Sequence, residues 1–350
     1  MKISTAMIRE GYDGKKCLVH ARMCVTPDGK RIATAQDLDV FGMDHFDGIK
    51  LSVDYSDFLV QDGLKPIKNP DGTLTVGCDG TPMYHKKTGK VLLLGHIAVY
   101  EANGKEPKGG YRHQTFYSVF DGEKFSSLRF VDVPNGLSCG NGCGQSIEDD
   151  DGTILIPLSV CTETGRYGAT VMRCAFDGDS LTFLEMGNIL RLEVERGLCE
   201  PSLIRFDGRY FMTIRNDLNG YHAASYDGLH YSEPELWRFE DGTVLENYNT
   251  QQHWLTCDQK LYLVYTARGH NNDHVFRHRA PLLMAEVKNG RLVQESEVIV
   301  APERGARLGN FGVCQISDDH AVIMAAEWMQ PLGCEEHGSN NAIWVTDVVA

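Results

Sequence analysis

The sequence lacks the features that mark several large classes of protein. Across its 350 residues no run approaches the ~18 apolar residues of a membrane-spanning helix. The first segment, MKISTAMIREGYDG, has no apolar stretch long enough for a signal peptide. No glycine-rich phosphate loop or nucleotide-binding signature is present, so we expect no organic cofactor. These absences lead us to expect a cytoplasmic protein that does not bind membranes.

Basic charge is also scarce. Lysine and arginine number 34 against 48 aspartates and glutamates, and the formal net charge is −14. Nucleic-acid binding needs a basic face, so we expect no nucleic-acid partner. Net charge does not fix where individual arginines lie, and a local positive pocket remains compatible with it.

The cysteines do not form a recognisable framework. There are 11 of them, an odd number at scattered spacings, which argues against a set of disulfides. Cys139 and Cys143 form a C-x3-C pair, but a zinc site needs two more ligands and no second pair lies nearby. We therefore predict reduced thiols and no metal site, with a metal or redox pair as the alternative.

Long helical periodicity is missing, and short strand-like runs replace it. Runs such as residues 152–160 and 260–267 are rich in aliphatic, β-branched and aromatic residues and end at turn signals. A phrase of aromatic, Asp-Gly and a second aromatic recurs at 120–125, 176–183, 206–211 and 226–231. A repeated strand–turn–strand unit predicts an all-β propeller. The length suits six blades, or alternatively seven, in one domain over 1–350; a β-sandwich is the other alternative.

Three hairpin segments resemble the Asp-box of the sialidase (neuraminidase) superfamily. SYDGLHYS (225–232) is the nearest, with Tyr231 in place of the usual tryptophan, while residues 118–125 and 52–58 are weaker matches. The resemblance implies a sialidase-like propeller that hydrolyses the glycosidic bond of an acidic sugar. Its partner would be an acidic oligosaccharide or glycoconjugate.

Sialidases hold the substrate carboxylate with three arginines from separate blades. The matching order in this chain implies Arg22, Arg215 and Arg279, with Arg277 as the alternative to the last. The segment EPSLIRFDGRYFMTIR runs from Glu200 to Arg215 and keeps the family's order of Glu, strand, turn, strand and Arg. Arginine suits this role because its planar fork binds a carboxylate in bidentate fashion.

The pattern departs from the family at the nucleophile. Phe311 stands where sialidases place a tyrosine, and Tyr248 is the replacement that we favour. The resemblance puts the acid/base aspartate on a loop after the first arginine, where Asp44 and Asp47 are candidates. A loop carboxylate can serve as general acid when a closed pocket raises its pKa.

Histidine-rich segments supply two further hypotheses. His96 and His113 lie on neighbouring strands or their loop, and with Tyr117 they resemble the residues of propeller lyases that cleave beside a uronic acid by β-elimination. A lyase is therefore the alternative to a hydrolase, and a non-catalytic glycan-binding propeller is the third hypothesis. Dense polar groups beside an aromatic ring are typical of sugar sites, so we predict further substrate contacts from Asn216, Gln251, Gln252, His253, Trp254 and His278.

Overall fold

The computed structural model is a six-bladed β-propeller, as the sequence predicts, with six blades rather than seven. The structure describes residues 1–39, 47–101, 103, 113–134 and 137–350. Six antiparallel sheets follow one another along the chain, and inner strands of neighbouring blades contact each other around a ring. The helical segments of the described residues are short 3-10 turns: Asp62–Leu64, Phe276–His278, Gln294–Ser296 and Cys334–His337.

The first strand, β1 (Lys2–Arg9), belongs to the last blade, and the first three blades follow it in chain order. Blade 1 contains β2 (Lys16–Val25), β3 (Arg31–Asp39), β4 (Lys50–Val53) and β5 (Leu59–Val60). Blade 2 contains β6 (Ile67–Lys68), β7 (Leu74–His85), β8 (Lys90–Tyr100), β9 (Thr115–Phe120) and β10 (Arg129–Phe130). Blade 3 contains β11 (Cys139–Gly140), β12 (Ile147–Glu148), β13 (Ile154–Cys161), β14 (Tyr167–Phe176) and β15 (Leu181–Met186).

The second half of the ring has the same plan. Blade 4 contains β16 (Cys199–Phe206), β17 (Arg209–Arg215), β18 (Tyr221–Ser225) and β19 (Glu235–Leu236). Blade 5 contains β20 (His253–Cys257), β21 (Lys260–Tyr265), β22 (Leu282–Lys288), β23 (Arg291–Leu292) and β24 (Val298–Ala301). Blade 6 contains β25 (Arg307–Leu308), β26 (Gly312–Ser317), β27 (His320–Trp328), β28 (Ile343–Val349) and β1.

Hydrogen bonds between the two ends of the chain close the ring. Strand β1 pairs antiparallel with β28, from Lys2 opposite Val349 to Arg9 opposite Ile343. The last blade is therefore built from both ends of the sequence, and the pairing of β1 with β28 closes the ring.

The core lies between blades, which explains the continuous apolar runs in the sequence. Almost every residue of β13 is buried, because neighbouring blades cover both faces of the strand. Between blades 4 and 5, Trp237 and Trp254 meet edge-on with ring centroids 5.5 Å apart. The recurring Asp-Gly phrases form the predicted turns: Asp207 and Gly208 both have positive φ at the β16–β17 hairpin.

The cysteines and the helical segments can also be described. All 11 cysteines are free, and no group of three potential ligands among the described residues is placed to hold a metal ion. None of the described helical segments has the length and apolarity that crossing a membrane would require.

Candidate functional site

A cavity of about 590 Å³ lies at the centre of the ring, and all six blades contribute to its wall. The inner strands of blades 1, 2 and 4 reach it through three bulged residues, His20, Asp79 and Glu200. Each residue has a positive φ, between 48° and 57°, and each lies where one strand has one residue more than its partner. A bulge re-aims a side chain that a regular strand would point elsewhere. The bulges therefore explain how these three polar side chains face the axis.

Glu200 and Arg215 form an ion pair in the cavity wall, which we call the cavity pair. Arg215 Nη1 lies 2.6 Å from Glu200 Oε1, and Nη2 donates to Asn249 Oδ1 at 2.6 Å. Burial opposes ionisation of Glu200, but the Arg215 and Arg196 guanidinium groups lower its pKa to about 2. Glu200 is therefore ionised at neutral pH, and its second oxygen, Oε2, has no hydrogen-bond partner among the described residues.

Arg22 and Asp79 form a second ion pair, which we call the buried pair. Arg22 Nη2 lies 2.5 Å from Asp79 Oδ1, and the two side chains are 1% and 7% exposed. Burial opposes ionisation of Asp79, yet Arg22, His20 and His96 hold its pKa well below the usual range. Asp79 lines the cavity, whereas Arg22 lies behind the wall. The structure therefore does not place Arg22 where it could contact a ligand directly, because Asp79 occupies its guanidinium.

Two asparagines connect the pairs across the ring. Arg279 Nε and Nη2 donate to the Asn249 carbonyl at 3.1 and 2.8 Å, and Nη1 donates to Asn310 Oδ1 at 3.3 Å. Asn310 Nδ2 in turn donates to Asp79 at 3.0 Å. A hydrogen-bonded path thus runs from Glu200 in blade 4 to Asp79 in blade 2 by way of blades 5 and 6, and it fixes the arginines in place.

The opposite side of the cavity carries a histidine and a tyrosine in contact. His113 Nε2 lies 3.1 Å from the Tyr167 hydroxyl oxygen. Burial, together with the charges of His96 and Arg196, lowers the pKa of His113 to about 4. Burial also lowers the pKa of His96, although Asp79 and Glu200 oppose the change. His113 is therefore neutral at pH 7 and able to accept a proton.

The wall of the cavity has an excess of positive charge. It contains two carboxylates, Asp79 and Glu200, against a larger set of arginines. Arg277 forms no ion pair with any residue in the described ranges, and its positive φ of 59° sets it in a turn above the cavity. A site of this kind favours an anionic ligand. The arginines of the wall are Arg196, Arg215, Arg277, Arg279 and Arg307.

The structure brings six of the predicted site residues to the cavity and leaves others outside it. Those lining it are Glu200, Arg215, Arg277, Arg279, His96 and His113. Asp47 lies outside it, half exposed and paired with Lys16 at 3.0 Å, and Asp44 falls outside the described residues. Tyr248 also lies away from it, under the Arg268 guanidinium at 4.2 Å and against the ring of His278.

The polar residues 251–254, at the start of β20, lie in the core and not in the cavity wall, where the sequence predicted sugar contacts. His253 is enclosed between the Ser202 hydroxyl and the Phe311 carbonyl, and Trp254 donates to the Ser202 carbonyl. Gln252 accepts a hydrogen bond from Thr213 at 2.6 Å. The side chains of Gln252 and His253 are thus hydrogen-bonded between blades, and their density marks a hydrogen-bonded core. Gln251 is buried too, and Asn216 donates to the carbonyls of Glu195 and Gly197.

Two aromatic residues singled out in the sequence are also buried. Phe311 is 2% exposed and packs edge-on against His253, so its ring does not reach the cavity. Tyr117, which we predicted beside His113, instead lies on β9 under the Arg129 guanidinium. The tyrosine in contact with His113 is Tyr167.

Sequence reasoning missed several residues of the cavity. Asp79 stands in the segment GCDGTPMY, whose Asp-Gly we would interpret as a turn but which forms a bulge within β7. Arg196 lies in the loop before β16, and its positive charge is the only property in the sequence that could have indicated it as a site residue. The remaining missed residues of the wall include His20, Tyr167, Arg307 and Asn310.

Comparison with known proteins gives a fold and no family. No family model matches the sequence, and no curated protein matches it. Among solved structures, a protein of unknown function from Dyadobacter fermentans DSM 18053 is 12% identical with a TM-score of 0.69, and each chain covers 99% of the other. Trypanosoma rangeli sialidase is 13% identical with a TM-score of 0.66, and a Hadza microbial sialidase, Hz136, is 14% identical with a TM-score of 0.66.

Those matches cover 99% of this chain in both sialidases, but only 59% of the T. rangeli sialidase and 68% of Hz136. The T. rangeli protein has also been solved in complex with sialic acid. At such low identity the similarity shows a sialidase-like propeller fold.

Proposed function

We propose that this protein is a carbohydrate-active enzyme that hydrolyses the glycosidic bond of a carboxylated sugar in the central cavity. The observation that carries the proposal is the set of five arginines lining one axial cavity in a chain of net charge −14. Guanidinium groups this close together repel one another unless a bound anion balances their charge. A carboxylate is the anion that the planar arginine fork binds in bidentate fashion.

Carboxylate recognition rests on the arginines that Asn249 holds together. Its side-chain oxygen accepts from Arg215 and its backbone oxygen accepts from Arg279, so two guanidinium groups are fixed on one side of the cavity. Arg277 adds a third positive charge that is not committed to any described carboxylate. Glu200 orients Arg215 and stays ionised, which suits a positioning residue better than a proton donor.

His113 and Tyr167 supply the chemistry on the facing side. Neutral His113 takes the phenol proton as the Tyr167 oxygen bonds to the anomeric carbon and the glycosidic C–O bond breaks. The leaving oxygen departs from the opposite face of that carbon and takes a proton from water, and His113 returns the phenol proton to the solvent. Water then attacks the same carbon, releases the sugar and restores the phenol, so the net reaction is hydrolysis.

A second candidate function, β-elimination beside a uronic acid, uses the same pair. His113 would take the proton next to the carboxylate, which the arginines neutralise, and Tyr167 would protonate the leaving oxygen. The specific observation in its favour is that Phe311, at the expected nucleophile position, is buried and carries no oxygen on its ring. The two functions differ in product: a saturated reducing sugar from hydrolysis, and an unsaturated, ultraviolet-absorbing uronate from elimination.

The test is a screen of sialosides and uronic-acid glycans with both products measured. We expect release of a saturated reducing sugar, and a loss of about 100-fold or more in kcat for Tyr167→Phe, because the oxygen that attacks the anomeric carbon and exchanges a proton with His113 is removed. Tyr248→Phe makes the same chemical change outside the cavity and should keep wild-type turnover. A rise in ultraviolet absorbance would instead establish the lyase. Saturable binding without turnover would make the protein a glycan-binding propeller, and Tyr167→Phe acting at the wild-type rate would remove the pair from the mechanism.

A further inference from the structure

A second cavity, of about 780 Å³, lies between blades 4 and 5. Its wall includes Phe206, Arg209 and Phe211 from the β16–β17 hairpin, and the β22–β23 turn at residues 289–291. Arg209 and Arg215 stand at opposite ends of β17, and six steps of ~3.3 Å separate them by about 20 Å. We call this cavity the interblade groove; it lies at the far end of the blades from the central cavity.

The interblade groove contains three guanidinium groups, from Arg209, Arg238 and Arg291, against two carboxylates, Asp207 and Glu235. None of the three pairs with a carboxylate within the part of the chain that the structure describes. Arg209 is held by aromatic rings, with its guanidinium carbon 5.6 Å from the centre of Phe211 and 4.8 Å from that of Tyr226. Stacking of this kind orients a guanidinium while leaving its N–H edge open to a ligand.

A histidine forms another part of the wall. The His222 ring stacks on Trp237 with centroids 4.3 Å apart, and burial lowers its pKa, so the imidazole is neutral at pH 7. A neutral imidazole offers one donor and one acceptor, which suits a sugar hydroxyl. Gly290 makes room for it, since a Cβ there would stand 3.1 Å from His222 Cε1.

We propose that the interblade groove is a second binding site, specific for a stretch of oligosaccharide that contains uronic acids. The guanidinium groups bind its carboxylates, the neutral histidine binds a hydroxyl, and the faces of Phe206 and Phe211 cover the apolar sides of the rings. The site is independent of the proposed catalysis because it shares no residue with the central cavity. Its effect would be to hold an acidic polysaccharide on the protein away from the central cavity.

The probe is a fluorescently labelled oligogalacturonate, with binding followed by anisotropy on the full chain. We expect Arg291→Ser and Arg209→Ser each to weaken binding about tenfold, because each removes a charge-assisted hydrogen bond. Arg191→Ser is the matched control, because this substitution makes the same change in net charge. Arg191 is exposed and lines neither cavity. Arg277→Ser in the central cavity should leave groove binding unchanged, so that failure of the proposed enzyme function and failure of this site are distinguishable.

Four outcomes would overturn the proposal. The first is wild-type affinity in both groove variants, and the second is an equal loss in Arg191→Ser, which would mean attraction by net charge alone. The third is binding of a heparin-derived hexasaccharide or of inorganic sulfate in preference to the oligogalacturonate, which would assign the groove to sulfate groups. A labelled neutral cello-oligosaccharide should not bind, and binding of equal strength would remove the role of the arginines.

Discussion

Two arginine–carboxylate pairs of almost equal length stand at the wall of the central cavity or just behind it, and they differ in surroundings. In the buried pair, Arg22 and Asp79 are 2.5 Å apart and almost fully enclosed. In the cavity pair, Arg215 and Glu200 are 2.6 Å apart, with Glu200 18% exposed to the cavity. Sequence resemblance assigns both arginines the same role. Their positions separate them: Arg22 joins blades 1 and 2 behind the wall, whereas Arg215, although only 5% exposed, lines the cavity.

Removing the arginine of the buried pair should have the largest effect on stability. Arg22→Met leaves Asp79 charged and enclosed without its main counter-charge, which costs about 3–5 kcal/mol for buried pairs. Urea unfolding of the variant and the wild type measures the loss. Adding Asp79→Asn should restore part of it, and a loss below about 1 kcal/mol would show that Asp79 finds its stabilisation elsewhere.

Removing the arginine of the cavity pair should cost less stability and more function. Arg215→Met should weaken binding of a carboxylated ligand by about 2–5 kcal/mol, because a desolvated charge pair is lost. Calorimetric titration with the substrate that the screen identifies measures this, and Arg191→Ser serves as the control. A change below about 0.5 kcal/mol would exclude Arg215 from ligand binding.

The same variant carries a pH signature. Glu200 has its pKa lowered from 4.5 to about 2 in the folded protein, so its contribution to stability is present above pH 4.5 and is lost as pH falls through about 2. Arg215→Met removes the main cause of the low pKa, so the stability difference from the wild type should shrink across that window. A constant difference from pH 4.5 down to 2 would contradict it.

The smallest effect is expected at the rim of the cavity. Asp217 lies 3.0 Å from Arg196 and 3.4 Å from Arg215, and its side chain is 30% exposed. Asp217→Asn should therefore change stability by only about 0–1 kcal/mol, less at high salt, as for other exposed pairs. Thermal unfolding at low and high salt measures it; a loss as large as that of Arg22→Met would erase the distinction between enclosed and open pairs.

The sequence predicts those parts of the site that depend on local geometry. The Asp-Gly turn at 207–208 sets the register of one hairpin as far as Ser202 opposite Thr213, and the bulge at Glu200 then leaves its side chain beside Arg215. The propeller follows similarly from repeated turns and short apolar runs. The Asp-box resemblance of residues 225–232 and the catalytic roles of the wall residues stay predictions, since the fold alone does not test them.

The sequence does not predict what depends on the ring as a whole. Arg307 and Tyr167 come to one cavity from blades 6 and 3, and no local spacing encodes a distance across the axis. The polar segment that contains His253 misleads for a related reason, because its partners Ser202 and Phe311 come from other blades. Asp79 is missed because Asp-Gly signals a turn in most contexts and a bulge in this one.

The three bulged residues imply a conflict between the stability of the fold and the function of the cavity. Positive φ is costly for side chains with a Cβ, so a sequence optimised only for folding would favour glycine or asparagine at these positions. The chain instead has His20, Asp79 and Glu200 there, each facing the cavity. Variants that relax the backbone at these positions should be the easiest to recover in a selection for heat resistance, and the same selection should tend to empty the cavity of its polar groups.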